Sequence, residues 1–230
     1  MRKIAISDIH GCLHSFWALL DQLALSTDDE LYLLGDYIDR GPKSKGVIDH
    51  IWQLQEDGYK IQCLRGNHEQ LLIESRQRPG QNMVWLANGG WDTLASFKVQ
   101  SPFRIPEKYY NFCLELGYYL EVDNYILVHA GLGFDHENPL ENLDAMLWIR
   151  EWYDNIDRDW LGDRVIIHGH TPISLAQINL QFKNIKTVPA LDIDGGCVHK
   201  GNRPGLGYLC ALDLTNWKLY FQDNIDIAEK

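Results

Sequence analysis

Three short apolar runs in the first third of the chain each stop at a polar motif that contains glycine. The runs are Ile4-Ala5-Ile6, Leu31-Tyr32-Leu33-Leu34 and residues 60–64. Apolar positions at helical spacing follow the first two runs, over residues 16–25, with Ser15 as the N-cap, and over Ser44–Glu56. Alternating strands and helices predict a parallel sheet, and ligands bind beyond the carboxyl ends of such strands. We therefore expect the three motifs to meet at one edge of a sheet.

Five motifs combine glycine with side chains that bind metal ions. They are Asp8-Ile9-His10-Gly11, Gly35-Asp36-Tyr37-Ile38-Asp39-Arg40-Gly41, Arg65-Gly66-Asn67-His68-Glu69, His129-Ala130-Gly131 and Gly169-His170-Thr171-Pro172. Asp, His and Asn suit Mn, Fe or Zn, and no cysteine accompanies them, which argues against a thiolate zinc site. Asp36 is the best bridging candidate, because a carboxylate can be shared by two cations and its motif lies between the other ligands. The pattern predicts a two-metal hydrolytic site with phosphate esters as substrates.

The second half of the sequence shifts from helical to strand-like patterns. Residues 69–117 predict mostly helix and loop, with a turn at Asn88-Gly89-Gly90. Strands are expected near residues 126–128, 165–167, 187–193, 208–212 and 217–221, with one helix near residues 141–150 among them. No repeat, low-complexity tract or linker divides the chain. We expect one α/β domain, residues 1–230, built around two sheets.

The composition favours an enzyme of a reducing compartment. Five cysteines, an odd number without paired spacing, are typical of cytoplasmic proteins. The charged start Met1-Arg2-Lys3 precedes too few apolar residues for a signal peptide, and no run approaches the ~20 apolar residues of a membrane span. A net charge of −11 argues against a nucleic-acid partner, because phosphate backbones require a basic surface. We expect a cytoplasmic enzyme that binds neither nucleic acid nor a membrane.

The motif set resembles the calcineurin-like metallophosphoesterases. Within them it is similar to the phosphoprotein phosphatase family of serine/threonine phosphatases, in the subgroup of phage lambda protein phosphatase and its bacterial relatives. The resemblance spans residues 4–172 and includes Asn88-Gly89-Gly90 and Trp148-Ile149-Arg150-Glu151. One departure is Ser7, where relatives usually carry glycine before the first aspartate. The family implies a two-sheet β sandwich flanked by helices, in agreement with the strand-rich second half.

The resemblance also assigns roles to the motif residues. It implies one metal ion held by Asp8, His10 and Asp36, and another held by Asp36, Asn67, His129 and His170. Mn²⁺ is the expected ion, with Fe or Zn as alternatives. The general acid falls on His68, oriented by Asp39, and the phosphate-binding arginines fall on Arg40, Arg65 and Arg150. The implied mechanism is direct attack of a metal-bridging hydroxide on the phosphorus of a phosphorylated protein or small phosphate ester, without a phosphoenzyme.

Alternative functions stay open at this point. A symmetrical diadenosine tetraphosphate hydrolase shares the metal motifs, but such enzymes usually carry Ala and Asp where Asp39 and Glu69 stand here, which favours the phosphatase. Cys197 and Arg203 have the Cys-x5-Arg spacing of cysteine-dependent phosphatases, although the flanking residues depart from that pattern. A non-catalytic binding scaffold is the third rival, and each motif residue also has a purely structural alternative. The physiological substrate and the oligomeric state leave no trace in the sequence.

Overall fold

Nine strands form two sheets within residues 1–227, the part of the chain that this computed structural model describes. In chain order they are β1 (Lys3–Ile6), β2 (Glu30–Leu33), β3 (Lys60–Cys63), β4 (Tyr119–Val122), β5 (Tyr125–Val128), β6 (Val165–His168), β7 (Ala190–Asp192), β8 (Tyr208–Asp213) and β9 (Lys218–Asp223). The first sheet has the order β3-β2-β1-β8-β9, and the second has the order β4-β5-β6-β7. The predicted parallel pairing of β1, β2 and β3 is confirmed, and β8 and β9 extend that sheet in antiparallel. Residues 228–230, the end of the predicted single domain, lie outside the described residues.

Nine α-helices among the same residues connect the strands. They are α1 (Leu13–Leu23), α2 (Ser44–Glu56), α3 (Asn67–Gln77), α4 (Gln81–Trp85), α5 (Trp91–Phe97), α6 (Glu107–Glu115), α7 (Leu143–Trp148), α8 (Arg158–Leu161) and α9 (Leu175–Lys183). The bounds of α2 are as predicted, and α7 is shorter than the helix expected near residues 141–150. We did not predict α9, although Ser174 and Gln177 form the capping box that signals its start. Within residues 1–227, no helix has the length and apolar character that crossing a bilayer requires.

Alternate residues of each strand face opposite sides of its sheet, and this alternation divides the core into layers. Ala5 of β1 and Leu127 of β5 pack between the two sheets. Their neighbours Ile4 and Ile6 face outward and pack with buried residues of α1 and α2. On the far side of the second sheet, Ile126 packs with residues of α7 and α8. The predicted two-sheet sandwich flanked by helices is therefore confirmed.

The start of α1 differs from the prediction. The helix begins at Leu13, and Ser15 is a buried residue inside it, not the N-cap. The carboxylate of Asp226 accepts hydrogen bonds from the backbone N–H groups of His14 and Ser15 at 2.9 and 2.8 Å. The hydroxyl of Ser15 donates to the same carboxylate at 2.7 Å. The first turn is thus capped by a residue more than two hundred positions away, which a local sequence pattern does not indicate.

Candidate metal and phosphate site

The motifs follow the carboxyl ends of strands, and several of their residues adopt the left-handed backbone conformation. Among residues 1–227, nine residues other than glycine have positive φ, and five of them belong to the motifs. These five are His10, Asp36, Asp39, Arg40 and His170, with φ of 46°, 54°, 71°, 67° and 72°. Such conformations cost about 1–3 kcal/mol each and concentrate at functional sites. The turns therefore point to these edges of the two sheets as the candidate site.

One group of ligand atoms brings both sheets together. Nε2 of His129 lies 3.0 Å from Oδ1 of Asn67 and 3.5 Å from Oδ1 of Asp36. Nδ1 of His170 lies 2.8 Å from the same Asn67 oxygen and 3.2 Å from Nε2 of His129. Nδ1 of His129 is 3.0 Å from the carbonyl oxygen of Leu34, so we assign the ring proton to Nδ1 and a lone pair to Nε2.

This spacing fits a bound cation. Ligand atoms that lie about 2.1 Å from one ion are separated from each other by roughly 3.0–3.5 Å. Three of these atoms are hydrogen-bond acceptors: Oδ1 of Asp36, Oδ1 of Asn67 and Nε2 of His129. Acceptors come this close together around a positive charge. Four ligands predicted from the sequence are therefore brought together, from residues separated by more than one hundred positions.

A second group shares the Asp36 carboxylate. His10, Asp36 and His68 are buried, and their ligand atoms lie within 4.8 Å of one another. Nδ1 of His10 is 2.9 Å from the carbonyl oxygen of Ile38, and its Nε2 lies 3.3 Å from Oδ2 of Asp36. The guanidinium of Arg40 donates to Nε2 of His10 at 2.8 Å, so a positive charge already lies against this nitrogen. The two carboxylate oxygens of Asp36 thus face different groups, as a bridging ligand requires.

Asp8 lies where the two sheets meet, though not in the tight group around His10. Both oxygens of its carboxylate are 3.2 Å from the backbone nitrogen of His170, which donates to them. Burial raises the pKa of Asp8 well above its usual range, and the charges of Asp194 and Asp36 raise it further. Burial likewise raises the pKa of Asp36. Buried acids of this kind need positive charge nearby, and divalent cations would supply it.

Asp194 is a buried acidic residue that we did not predict for this site. Burial raises its pKa to about 6, while the hydrogen bond from the Gly196 backbone and the positive charges of Arg40 and Arg150 oppose that rise. Its carboxylate accepts the backbone N–H of Gly196 at 2.8 Å. The sequence feature that could have indicated Asp194 is the run Asp194-Gly195-Gly196, because two glycines allow a loop to pass close to the other motifs.

His68 and Asp39 form a buried pair beside the second ligand group. Nδ1 of His68 is 2.8 Å from Oδ2 of Asp39, and both side chains are fully buried. Trp85 and Thr93 also donate to the Asp39 carboxylate, at 2.9 and 2.6 Å. Burial raises the pKa of Asp39 to about 7, and burial together with the charge of Arg40 lowers the pKa of His68 well below its usual range. The remaining ring nitrogen, Nε2, has no hydrogen-bond partner among the described residues and lies 3.9 Å from Oδ2 of Asp36.

The residues predicted as a turn, Asn88-Gly89-Gly90, instead lie in a π-helical segment, Leu86–Gly90, which is kinked at Gly89 and joins α4 to α5. Gly89 has φ of 107°, and its carbonyl oxygen accepts the backbone N–H of Arg40 at 3.2 Å. A Cβ atom at Gly89 would lie 2.8 Å from the backbone nitrogen of Arg40, so only glycine allows this approach. The helices on either side of this segment, α4 and α5, carry Trp85 and Thr93, two partners of Asp39 that we did not predict.

The three predicted arginines have different surroundings. Arg40 lies against His10, and Arg150 donates to Oγ1 of Thr171 at 3.2 Å, next to His170. The guanidinium of Arg65 instead donates to Gln70, to the hydroxyl of Tyr118 and to the carbonyl oxygen of Leu114, at 2.8–3.0 Å. None of these three acceptors belongs to the ligand motifs. The geometry therefore favours Arg40 and Arg150 over Arg65 as phosphate-binding residues.

The cysteine-dependent alternative receives no support from the geometry. Cys197 is buried, and burial together with the neighbouring thiol of Cys12 raises its pKa well above the usual range. The side-chain amide of Asn224 lies 3.4 Å from its sulfur. A nucleophilic cysteine needs a lowered pKa and access to substrate. Cys197 has neither.

Among known proteins, two kinds of relative have the same sequence identity to this chain, 28%. A family model described as calcineurin-like phosphoesterase matches residues 1–218. Serine/threonine-protein phosphatase 1 of Salmonella typhimurium is 28% identical, over 83% of this chain and 87% of that protein. The asymmetrical bis(5'-nucleosyl)-tetraphosphatase PrpE of Bacillus mycoides is also 28% identical, over 90% of this chain and 91% of that protein.

Solved structures share the fold at lower identity. A serine/threonine phosphatase from Saccharomyces cerevisiae superposes with a TM-score of 0.66 and 14% identity, covering 100% of this chain and 82% of that one. A chain provisionally assigned as a diadenosine tetraphosphatase superposes with a TM-score of 0.69 and 19% identity, covering 98% of this chain and 95% of that one. The family match over most of the sequence, together with this shared fold, shows that the chain belongs to the calcineurin-like phosphoesterases, a family of metal-dependent phosphoester hydrolases.

Proposed function

We propose that this protein is a phosphomonoesterase that hydrolyses phosphorylated serine and threonine side chains of proteins. The buried Asp39–His68 pair carries this proposal, with Nδ1 of His68 2.8 Å from Asp39 and Nε2 without a hydrogen-bond partner within residues 1–227. An alkoxide is a poor leaving group and needs a proton as it departs. A nucleotide polyphosphate leaves without such help, so a buried acid pair would be of little use to a polyphosphate hydrolase.

The remaining motif residues have complementary roles in this proposal. Asp8, His10 and Asp36 would hold one divalent ion, and Asp36, Asn67, His129 and His170 the other, with Mn²⁺ as the expected metal. When bound, two such ions would lower the pKa of water at neutral pH and offset negative charge on the phosphoryl group, which favours direct attack of water on phosphorus. Arg40 and Arg150 hold the phosphate oxygens through charged hydrogen bonds, and Arg65 stays a prediction for the same task. The dianionic phosphate favours the protonated imidazole of His68, which then donates its proton to the leaving oxygen.

Hydrolysis of a dinucleoside polyphosphate is the second candidate, and Trp148 favours it. This side chain is 41% exposed, and its ring lies 6.3 Å from that of His170, nearly perpendicular to it. Arg150 donates to Oγ1 of Thr171, the residue after His170, so Trp148 and Arg150 both lie beside the same ligand motif. An indole beside a phosphate-binding arginine can stack on a nucleobase. The similarity to an asymmetrical bis(5'-nucleosyl)-tetraphosphatase adds to this candidate, whereas the symmetrical hydrolase has no further support.

A comparison of substrates tests the two candidates. We expect Mn²⁺-loaded enzyme to release phosphate from phosphoserine and phosphothreonine peptides with a higher kcat/KM than it cleaves diadenosine tetraphosphate. The kcat/KM for phosphotyrosine peptides, measured in the same series, shows whether the enzyme also hydrolyses phosphorylated tyrosine. Chromatography of the tetraphosphate products distinguishes ATP plus AMP from two ADP. A tetraphosphate kcat/KM exceeding that of every phosphopeptide would replace the first candidate with the second.

We expect Arg150→Ala to raise KM and lower kcat on phosphopeptides, because the guanidinium holds phosphate in both the ground and the transition state. Hydrogen bonds to charged groups contribute about 1.5–3 kcal/mol, which corresponds to a roughly 10–100-fold loss in kcat/KM. Arg150→Lys should recover little of this, since lysine has no planar fork. Steady-state kinetics measure both variants against Arg104→Ala, a control at an exposed arginine. Unchanged kinetics in Arg150→Ala would leave this residue with a structural role only.

A cytoplasmic location belongs to the same proposal. All five cysteines are free thiols, in keeping with a reducing compartment.

A further inference from the structure

The carboxylate of Glu69 is buried and accepts hydrogen bonds from two separate turns. Its Oε2 accepts the backbone N–H of Asp36 and that of Gly66, both at 2.9 Å. Its Oε1 accepts the backbone N–H of Tyr37 at 2.9 Å and that of Ile38 at a longer 3.4 Å. One side chain thus joins the turn after β2 to the turn after β3, and within residues 1–227 its carboxylate is hydrogen-bonded to backbone N–H groups, not to a predicted metal-binding atom.

The Asp36 peptide, which Glu69 holds, connects three motifs. Its carbonyl oxygen accepts the backbone N–H groups of Ile9 and His10 at 3.1 and 2.8 Å. Its side-chain Oδ1 accepts the backbone N–H of His68 at 3.0 Å. The residue itself has φ of 54°, an unfavourable conformation that surrounding contacts must maintain. A shift of this peptide would therefore move ligands of both predicted metal ions.

The two turns also touch directly. A Cβ atom at Gly66 would lie 2.1 Å from Oδ1 of Asp36, so the backbone of one turn packs against the carboxylate carried by the other. The amide groups of Asp36, Tyr37 and Gly66 converge on one buried point. Without an acceptor there, three buried N–H groups would lose their partners, each at a cost of about 1–3 kcal/mol.

We propose that Glu69 is a positioning residue that sets the place of the Asp36 carboxylate between the two ligand groups. It acts through backbone amides and touches neither substrate nor metal. As the third residue after the Gly66 N-cap it also lies in the first turn of α3, where a negative charge is favourable. The effect on metal affinity rests on the proposed two-metal function, whereas the contact with the three amides does not.

The substitution Glu69→Gln tests this role, because it keeps the shape of the side chain but places an NH₂ group against at least one backbone N–H. In metal-free protein we expect amide hydrogen exchange at Asp36, Tyr37 and Gly66 to become at least tenfold faster. Equilibrium dialysis followed by elemental analysis should show Mn²⁺ affinity reduced by roughly 10–100-fold, the range seen when residues that orient metal ligands are changed. Glu56→Gln, at an exposed position at the end of α2, is the matched control and should leave both measurements unchanged.

The outcomes separate this inference from the proposed function. If wild-type protein binds no Mn²⁺, the two-metal function fails, while the exchange rates still test the amide contacts. If wild type binds Mn²⁺ and Glu69→Gln binds it equally well, the positioning role is wrong even where the melting temperature falls. Should Glu69→Gln not fold, Glu69→Asp keeps the charge on a shorter side chain that cannot span both turns. In Glu69→Asp we expect smaller changes in the same direction, with faster amide exchange and weaker Mn²⁺ binding. If its amide exchange rates and Mn²⁺ affinity equal those of the wild type, the proposal is wrong.

Discussion

Replacing Asp36 with asparagine should remove nearly all phosphatase activity and lower the bound Mn²⁺ from two ions per chain to one or none. One carboxylate oxygen faces His10 at 3.3 Å and the other faces His129 at 3.5 Å, so a single change weakens both predicted ion sites. Metal ions supply several kcal/mol of transition-state stabilisation, and each 1.36 kcal/mol is tenfold in rate, which gives a loss of roughly 10³-fold or more. Elemental analysis of dialysed protein and phosphate release from a phosphoserine peptide measure the two effects.

Two comparisons make the Asp36 result specific. Asp28→Asn changes an exposed aspartate in the same way and should keep metal content and activity. Chelation of wild-type enzyme should reproduce the loss, and Mn²⁺ should restore activity better than Mg²⁺. An Asp36→Asn enzyme that holds two ions and keeps its activity within tenfold of wild type would exclude a bridging role for this carboxylate.

The second large effect is expected at His68. His68→Asn should lower kcat on phosphoserine peptides by about 10²–10⁴-fold, the usual contribution of general acid catalysis. The loss on p-nitrophenyl phosphate should be much smaller, because nitrophenolate leaves without a proton. Asp39→Asn should show the same pattern more mildly, since Asp39 acts through its 2.8 Å contact with Nδ1 of His68.

The measurement for His68 is the ratio of the two losses, with His136→Asn as a control at an exposed histidine. An equal loss on both substrates would show that His68 positions the phosphate and does not protonate the leaving group. An unchanged rate on both substrates would remove His68 from the reaction altogether, and with it the main reason to prefer a protein substrate over a dinucleoside polyphosphate.

The sequence could predict that the candidate metal ligands lie close together, because local signals determine where strands stop. Asp8, Asp36 and Asn67 each follow a strand of one parallel set, so their common position follows from chain order and sheet geometry. His129 and His170 follow two strands of the other sheet by the same rule. Residue type then indicated the chemistry.

Residues that act through distant contacts were not predictable. Asp226 caps a helix more than two hundred residues earlier, and Thr93 donates to Asp39 across 54 positions. The segment before Asp194 meets the segment before Asp8 only when the two sheets pack together, where the Ser7 hydroxyl donates to the carbonyl oxygen of Ile193 at 2.7 Å. The direction of the Arg65 side chain depends on Tyr118 and Leu114, which follow it by about fifty positions. No local pattern of apolar, charged or turn-forming residues marks such pairs.

The division of ligands between the two sheets has a consequence for the folding pathway. Asp36 and Asn67 follow strands of the first sheet, whereas His129 and His170 follow strands of the second. Contacts between Asn67 and His170 close a loop of 103 residues, and those between Asp8 and His170 close one of 162, so they form late and at a high entropic cost. A nascent chain on the ribosome cannot complete the group around His129 until residue 170 has emerged. Occupancy of that group by a metal ion would therefore report that the two halves of the sandwich have docked.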